Sequence, residues 1–382
     1  MAVEMNTGEA AHSRSRSDEN LATLSIWAQK TMNPKFCLQV AFSAAPGINI
    51  LFGASGAGKT TLLNCVAGLS TPERGRIAVA QQVLFDSKEG INVSTSRRQV
   101  GYVFQSLALF PHLTVAGNVQ YGLRSRRPDE RQRECGEILD SFHIGHLAGR
   151  KPNEISGGER QRVALARSLV TNPCVLLLDE PLAALDSSAK AKIVADLRVW
   201  NAQHGIPILY VTHSRDEVFA LGERVLVLDQ GRVIADGTPH QVIRAPRNET
   251  VAQLAGFENI FDAQVTAVHE HRGTLTCRLE NSSVELETPL VRAELGSRLR
   301  VAISAGDILL ATAQPQGLSA RNLLWGKIRG LEQRDVIVLA VVDCGVRMQV
   351  QLTLAARDSL DLCPDKGVWL IVKTHSCHLL RP

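Results

Sequence analysis

The chain has no CxxC pair. Its eight cysteines (Cys37, Cys65, Cys135, Cys174, Cys277, Cys344, Cys363 and Cys377) stand singly along the sequence. That scatter argues against both a disulfide framework and a zinc site, so reduced, mostly buried thiols in a cytosolic protein are expected. No apolar run reaches the roughly 18–20 residues that cross a bilayer. Neither sign of charge dominates: 42 basic residues stand against 38 acidic ones, for a net charge of +4. That balance gives no reason to expect nucleic acid as a partner. Residues 1–20 lack the apolar segment of a secretory signal and carry Ser–Arg repeats from Ser13 to Ser17. They are expected to form a disordered polar tail.

What is there is an ordinary globular composition, 45% hydrophobic and 21% charged over 382 residues, enough for two or three domains with ample cores. From residue 21 to 240 short apolar runs alternate with helical stretches. Ile48–Phe52 reads as a strand running into a glycine loop, with Thr60–Ala67 as the next helix. Val175–Leu178 and Ile208–Val211 have the length of strands buried on both faces. This is the pattern of an α/β sandwich core with ligand loops at strand ends. A linker is expected over residues 241–257.

From residue 258 to 382 helical periodicity nearly vanishes. Val346, Met348, Val350 and Leu352 alternate with polar residues after an Asp343–Cys344–Gly345 turn, and Leu299, Val301 and Ile303 do the same. The expectation is an all-β barrel. Asn259–Val265 resembles Asn322–Ile328, and each is followed by a glycine and a strand, at Gly296 and Gly367. Two matches in the same order favour a duplicated barrel.

The chemistry concentrates in short strings. Gly53-Ala54-Ser55-Gly56-Ala57-Gly58-Lys59-Thr60 fits the eight-position phosphate loop at every position, followed by Thr61. Its glycines let backbone N–H groups turn toward phosphate oxygens at a helix N-terminus. Lys59 is placed for the β- and γ-phosphates and the Thr60 hydroxyl for Mg²⁺. Asp179-Glu180 follows four apolar residues, which puts both carboxylates at the end of a buried strand. There Asp179 suits Mg²⁺ and Glu180 suits a general base for the attacking water. ATP and Mg²⁺ are the expected cofactors.

With these in place the chain resembles the ATP-binding cassette family. Ile155-Ser156-Gly157-Gly158-Glu159 looks like the family signature, where Leu and Gln more often stand at the positions of Ile155 and Glu159. The resemblance implies that Ser156, Gly157 and Gly158 meet ATP held by a second copy, so the ATPase works as a homodimer. It implies a side chain turned aside for Glu159, a capping role being the bland alternative for this string. Gln105 lies where the family has its Gln loop, next to Mg²⁺ and water. Asp186, in Pro181–Asp186, lies in the loop that joins the two copies, and His213 is at the place of the switch histidine on the γ-phosphate. The family also stacks adenine on an aromatic residue; Trp27 and Phe36 are both candidates, and their spacing separates neither.

The resemblance further implies two integral-membrane permease subunits, with the ATPase peripheral on the cytoplasmic face of the bacterial inner membrane. The apolar, turn-rich segment Leu107–Val119 resembles the groove for a permease coupling helix. Within the family, Glu89–Val93, Arg97–Gln105, Leu109–His112 and Ser55–Asn64 look like molybdate importer ATPases, which work with an extracytoplasmic molybdate-binding protein. Ser319-Ala320-Arg321-Asn322 with Val372-Lys373-Thr374-His375-Ser376 resembles the oxyanion-binding barrel repeats (MOP/TOBE type) of molybdate-handling proteins. Ser319, Arg321, Asn322, Lys373 and Thr374 thereby become oxyanion candidates for feedback inhibition. Solvated barrel charges are the other reading of Arg321 and Lys373. A sulfate or thiosulfate importer is the rival transport function. A soluble cassette ATPase fits less well, because repair-type members place a long coiled coil between phosphate loop and signature and no heptad run occurs here.

Overall fold

The computed structural model describes residues 23–380 apart from 184, 186, 245 and 247, and apart from the side chains of 187 and 188. The expected tail over residues 1–20 and the candidate Asp186 therefore lie outside the described residues. The chain divides into two compact units between Asp236 and Gly237.

The first unit is a layered α/β structure. Strands β1 (Leu24–Asn33), β2 (Phe36–Ala44), β4 (Arg74–Val79), β5 (Gln82–Asp86) and β6 (Ile91–Asn92) form an antiparallel sheet in the order β2-β1-β4-β5-β6. A second sheet has the order β11-β10-β3-β9-β8-β7. It is built from β3 (Gly47–Phe52), β7 (Val100–Val103), β8 (Val175–Asp179), β9 (Pro207–Thr212), β10 (Arg224–Asp229) and β11 (Arg232–Gly237). The pairings from β10 through β3, β9 and β8 to β7 are all parallel. Strands β3, β8 and β9 are buried at every position, which is why their sequences are unbroken apolar runs rather than alternating ones.

Helix α1 (Lys59–Ala67) turns Leu62, Leu63, Cys65 and Val66 into the core between the sheets. They meet Leu24, Ile26, Leu38 and Ile77 on one side and Leu177, Leu209 and Leu226 on the other. Each such side chain contributes about 1.5–3 kcal/mol by burial. Helices α2 (Val115–Gln120), α3 (Pro128–Ser141), α4 (Gly157–Leu169), α5 (Ser187–His204) and α6 (Arg215–Leu221) complete the unit.

The second unit begins with a π-helical turn (His240–Arg244) and a short helix, α7 (Glu249–Leu254), and is otherwise dominated by two antiparallel sheets. One has the order β14-β13-β12-β15-β21, from β12 (Asn259–His269), β13 (Thr274–Leu279), β14 (Glu285–Pro289), β15 (Arg298–Ile303) and β21 (His378–Leu380). The other includes β16 (Ile308–Ala311), β17 (Asn322–Arg334), β18 (Ile337–Asp343), β19 (Arg347–Thr353) and β20 (Gly367–Val372), with helix α8 (Leu354–Ser359) following β19. Its order, read from the other edge, is β19-β18-β17-β20-β16, the same path as in the first sheet. The repetition extends to detail. β12 bulges between Val265 and Ala267, and β17 bulges at the matching step between Ile328 and Gly330.

The fifth strand of each sheet is exchanged. β16 follows the first repeat in sequence yet pairs with β20 of the second, and β21 ends the second repeat yet pairs with β15 of the first. Two buried asparagines mirror this. Asn259 exchanges two hydrogen bonds with the backbone of Gln349, at 2.7 and 2.8 Å, while Asn322 does the same with Glu287, at 2.6 and 3.0 Å. One core, from Val265 and Cys277 to Val350 and Leu370, is shared by both repeats.

Candidate nucleotide site

Topology gathers the candidate residues. The phosphate loop follows β3, His213 follows β9, Asp179-Glu180 closes β8 and Gln105 follows β7. These four strands are neighbours in one parallel sheet, so the four loops share one edge, where α/β proteins bind ligands. A cavity of about 780 Å³ opens there, lined by Ser55, Gly56, Gly58, Lys59, Thr60, Thr61, Gln105, Asp179, Glu180 and His213. Gly53 and Ala57 stand behind it and shape the loop. A side chain at Gly53 would begin 2.2 Å from the Leu228 carbonyl oxygen, and Ala57 accepts a hydrogen bond from Gly231 N–H at 3.0 Å. Gly58 begins α1 with φ of 104°, and a Cβ there would lie 2.9 Å from the Phe36 ring. Glycine alone meets both demands.

Lys59 is buried, its ammonium donating to the carbonyl oxygens of Gly53 and Ala54 at 2.9 and 2.8 Å. Burial pulls its pKa below the ordinary lysine value, with Glu180 and Asp179 pulling back. The Thr60 hydroxyl donates to Asp179 Oδ2 at 2.9 Å. Burial raises the Asp179 carboxyl above its usual range, and the Thr60 bond opposes that. Glu180 is the hub. Its Oε2 accepts from Gln105 Nε2 at 3.3 Å and its Oε1 lies 3.3 Å from His213 Nδ1. Its backbone has φ of 46°, a left-handed conformation that costs a non-glycine residue about 1 kcal/mol or more. That geometry turns its carboxylate out of the strand and toward the cavity.

A hydroxyl and a carboxylate on hard oxygen atoms fit Mg²⁺. Among the described residues no group of three His, Cys, Asp or Glu side chains could hold a metal by itself. So small a donor set suits a cation that brings phosphate and water ligands with it.

Of the two aromatic candidates for the base, Phe36 lines the cavity together with Met32 and Asn33. Trp27 lies outside it, beside Gln39, Val40 and Arg232. Ser156, Gly157 and Gly158 are also outside this cavity, at the start of α4, where Ser156 is the N-cap. Here one expectation is corrected. Glu159 does not turn aside: its Oε2 accepts the Ser156 N–H at 2.7 Å and the Ser156 hydroxyl at 2.8 Å. The N-terminal lip of a helix attracts a carboxylate, and an acid at the third helical position reaches back to the cap.

In the second unit Asn322 and Val372 are paired across β17 and β20, and Arg321 and Lys373 are the next residues beyond that pair. Ser319, Arg321 and Lys373 are exposed and Thr374 is half-buried. Asn322 is different. Its amide is committed to the Glu287 backbone and, at 3.6 Å, to Cys377 Sγ, which makes it a structural clamp. The matching position to Arg321 in the first repeat is Glu258, which accepts from Ala305 N–H at 2.8 Å.

Three supporting residues escaped sequence reasoning. Arg98 is fully buried, capping the end of α1 through the carbonyls of Cys65 and Val66 while binding Val93 O and Asn92. Glu217 ties α6 to the strand before His213, accepting from Thr212 at 2.7 Å, Tyr210 at 3.0 Å and Lys190 at 3.1 Å. Arg167 of α4 donates to Leu107 O and Ala108 O, just past Gln105. Only Glu217 carried a signal, the Ser214-x-x-Glu217 pattern of a helix start.

Residues 39–183 match the family model described as ABC transporter, and residues 318–379 match the TOBE domain. The chain is 41% identical over 348 residues to the molybdenum import ATP-binding protein ModC of Rhizobium meliloti, covering 89% of this chain and 95% of that protein. It is 39% identical to the protein of that name from Rhizobium etli, over 92% of this chain and 98% of the relative. With the one from Mesorhizobium japonicum it shares 38%, over 89% and 92%. With the phosphate loop, acidic strand end and signature all in their places, the chain belongs to the ATP-binding cassette family, among its molybdenum import ATP-binding proteins.

Proposed function

We propose that this chain is the ATP-hydrolysing subunit of a molybdate importer, acting as a pair of copies beneath two membrane permease subunits at the cytoplasmic face of the membrane. The observation that carries the motor is the Glu180 carboxylate held between Gln105 and His213, beside the Thr60–Asp179 contact. The cargo rests on relatives named for molybdenum import that align over about nine-tenths of the chain. No helix among the described residues is long and apolar enough to cross a membrane, so the pathway belongs to partners.

In this reading the P-loop N–H groups and Lys59 take the phosphates, and Thr60 and Asp179 hold Mg²⁺. When bound, the cation neutralises charge on the β- and γ-phosphates. Glu180 accepts a proton from the water that attacks the γ-phosphorus, as the bond to the β-phosphate oxygen breaks and ADP leaves. Gln105 and His213 fix the carboxylate, and His213 reaches the γ-phosphate. Met32 and Phe36 lie where the base extends from the phosphates. Ser156 to Gly158 and Asp186 of a second copy complete each site. Domains follow as a nucleotide unit, a linker and a two-repeat barrel. In the barrel Arg321 and Lys373, with Ser319 and Thr374, are the groups that bind an intracellular oxyanion and restrain the motor, while Asn322 holds their strands.

Glu180→Gln should abolish steady-state hydrolysis while keeping ATP binding and producing an ATP-locked dimer on size exclusion; retained turnover removes the assigned base. Titration of the purified chain with molybdate, tungstate and sulfate tests the barrel. Micromolar molybdate binding weakened by Lys373→Ala supports the oxyanion site, and preference for sulfate moves the cargo to the sulfate class.

A further inference from the structure

The carboxylate of Glu159 does more than begin a helix. A serine hydroxyl has one hydrogen to donate. In this chain that hydrogen is directed at Glu159 Oε2, 2.8 Å from Ser156 Oγ, and the same oxygen takes the Ser156 N–H at 2.7 Å. Ser156 is exposed at the lip of α4, where helix N–H groups and the positive end of the helix dipole would otherwise favour an incoming phosphate. A full negative charge stands there instead. The two bonds from Ser156 hold the carboxyl below its usual range, with smaller help from His146 and Arg150, so it remains ionised where the enzyme works.

We propose that Glu159 competes with the γ-phosphate for the Ser156 hydroxyl and repels that phosphate, so that it acts as a built-in brake on closure of the ATP-bound pair. The inference rests on the reading that Ser156 of one copy meets ATP held by the other. Glu159 is then a positioning residue: it touches no substrate and acts through its hold on Ser156 and through its charge. Closure requires the hydroxyl to rotate from carboxylate to phosphate at each of the two sites, against the repulsion of two like charges. A plain capping role has a different consequence. A carboxylate that only caps stabilises α4 and leaves the ATP dependence of pairing untouched.

Glutamine separates the two. It keeps an oxygen acceptor for the Ser156 N–H, so the helix start survives, and it removes the charge. The test uses the full chain in a Glu180→Gln background, in which ATP is not consumed. The readout is the ATP concentration at half-maximal dimer by sedimentation velocity, for E159Q, S156A and the double variant. E159Q should lower that concentration, on the order of fivefold for exposed charges acting at two helix termini. S156A should raise it, and E159Q should give a smaller gain on S156A than on the parent, the gain that remains being the charge repulsion, which does not pass through Ser156. With Glu180 restored, E159Q should lower KM for ATP and leave kcat within about twofold. An unchanged or higher ATP requirement for E159Q, with S156A still harmful, overturns the brake. If S156A has no effect, Ser156 does not face the nucleotide, and the paired-site reading fails first.

Discussion

Glu217 has a nearly fully buried carboxylate that takes three donors, from Lys190, Tyr210 and Thr212, and it stands four residues after His213. Removing it leaves a lysine and two hydroxyls without their acceptor. Glu217→Ala should therefore cost about 3–5 kcal/mol, read as a lower midpoint in urea. Glu217→Gln should cost about 1–2 kcal/mol and still slow hydrolysis, because the strand end that carries His213 loosens. An unshifted midpoint in both would show that the cluster contributes nothing net. Glu159 gives a pH signature. Its carboxyl is held below the ordinary value of about 4.3, by the Ser156 N–H first and the hydroxyl second. A lowered folded-state value means that its stabilisation of α4 is fully present above the unfolded value and is lost as pH falls through the folded one. The thermal midpoint of the wild type should thus exceed that of Glu159→Gln near pH 6, and the difference should shrink as pH falls below the ordinary carboxylate value of about 4.3 and through the lower folded-state value. The residue identities of the motor were legible because each function demands its own side chain: lysine for phosphate, paired acids for metal and water. Orientation was not. A carboxylate three residues into a helix reads equally as pointing away or as folding back, and an asparagine in an oxyanion motif looks like a ligand until its amide is seen to be occupied by the Glu287 backbone.

At the scale of elements, the parallel strands β3, β8 and β9 could be read directly, since burial on both faces leaves an unbroken apolar run that few other structures tolerate. The segment that follows Gln105 is harder. Leu107 and Ala108 have φ of 61° and 47°, conformations that cost non-glycine residues about 1–2 kcal/mol each. What holds them is long-range: the two guanidinium bonds from Arg167, 59 and 60 residues further along the chain, with the same group 5.6 Å from the Phe110 ring centroid. No local pattern encodes such a contact. It also joins the loop expected to face a permease to the helix that begins with Ser156. Arg167→Lys keeps the charge but has no planar fork to reach both carbonyls. Amide hydrogen exchange over residues 106–113 should accelerate several-fold in that variant while exchange in β8 and β9 stays as in the parent. Equal exchange across the loop would mean that packing alone maintains the left-handed pair.

At the scale of the whole molecule, the duplication in the second unit was visible in its repeated Asn259 and Asn322 segments, but its consequence was not. A strand's own alternation says which face is buried and nothing about its partner, so the exchange of β16 and β21 between the two sheets could not be read from either sequence. The exchange decides how the unit unfolds. Two barrels that merely touched would each keep a private core and could melt in two steps. Here each sheet lacks an edge strand without the other repeat, and each buried asparagine satisfies backbone groups of the opposite repeat. Asn259→Ala leaves the N–H and C=O of Gln349 without those bonds, and Asn322→Ala leaves those of Glu287, so each should cost about 2–4 kcal/mol. Because the clamps are symmetric and the core is shared, either change should lower the stability of both repeats together. Calorimetry of the full chain should show the transition assigned to the second unit moving down as one peak in both variants. A split in which only one repeat's strands lose exchange protection would mean that the repeats fold separately despite the exchanged strands.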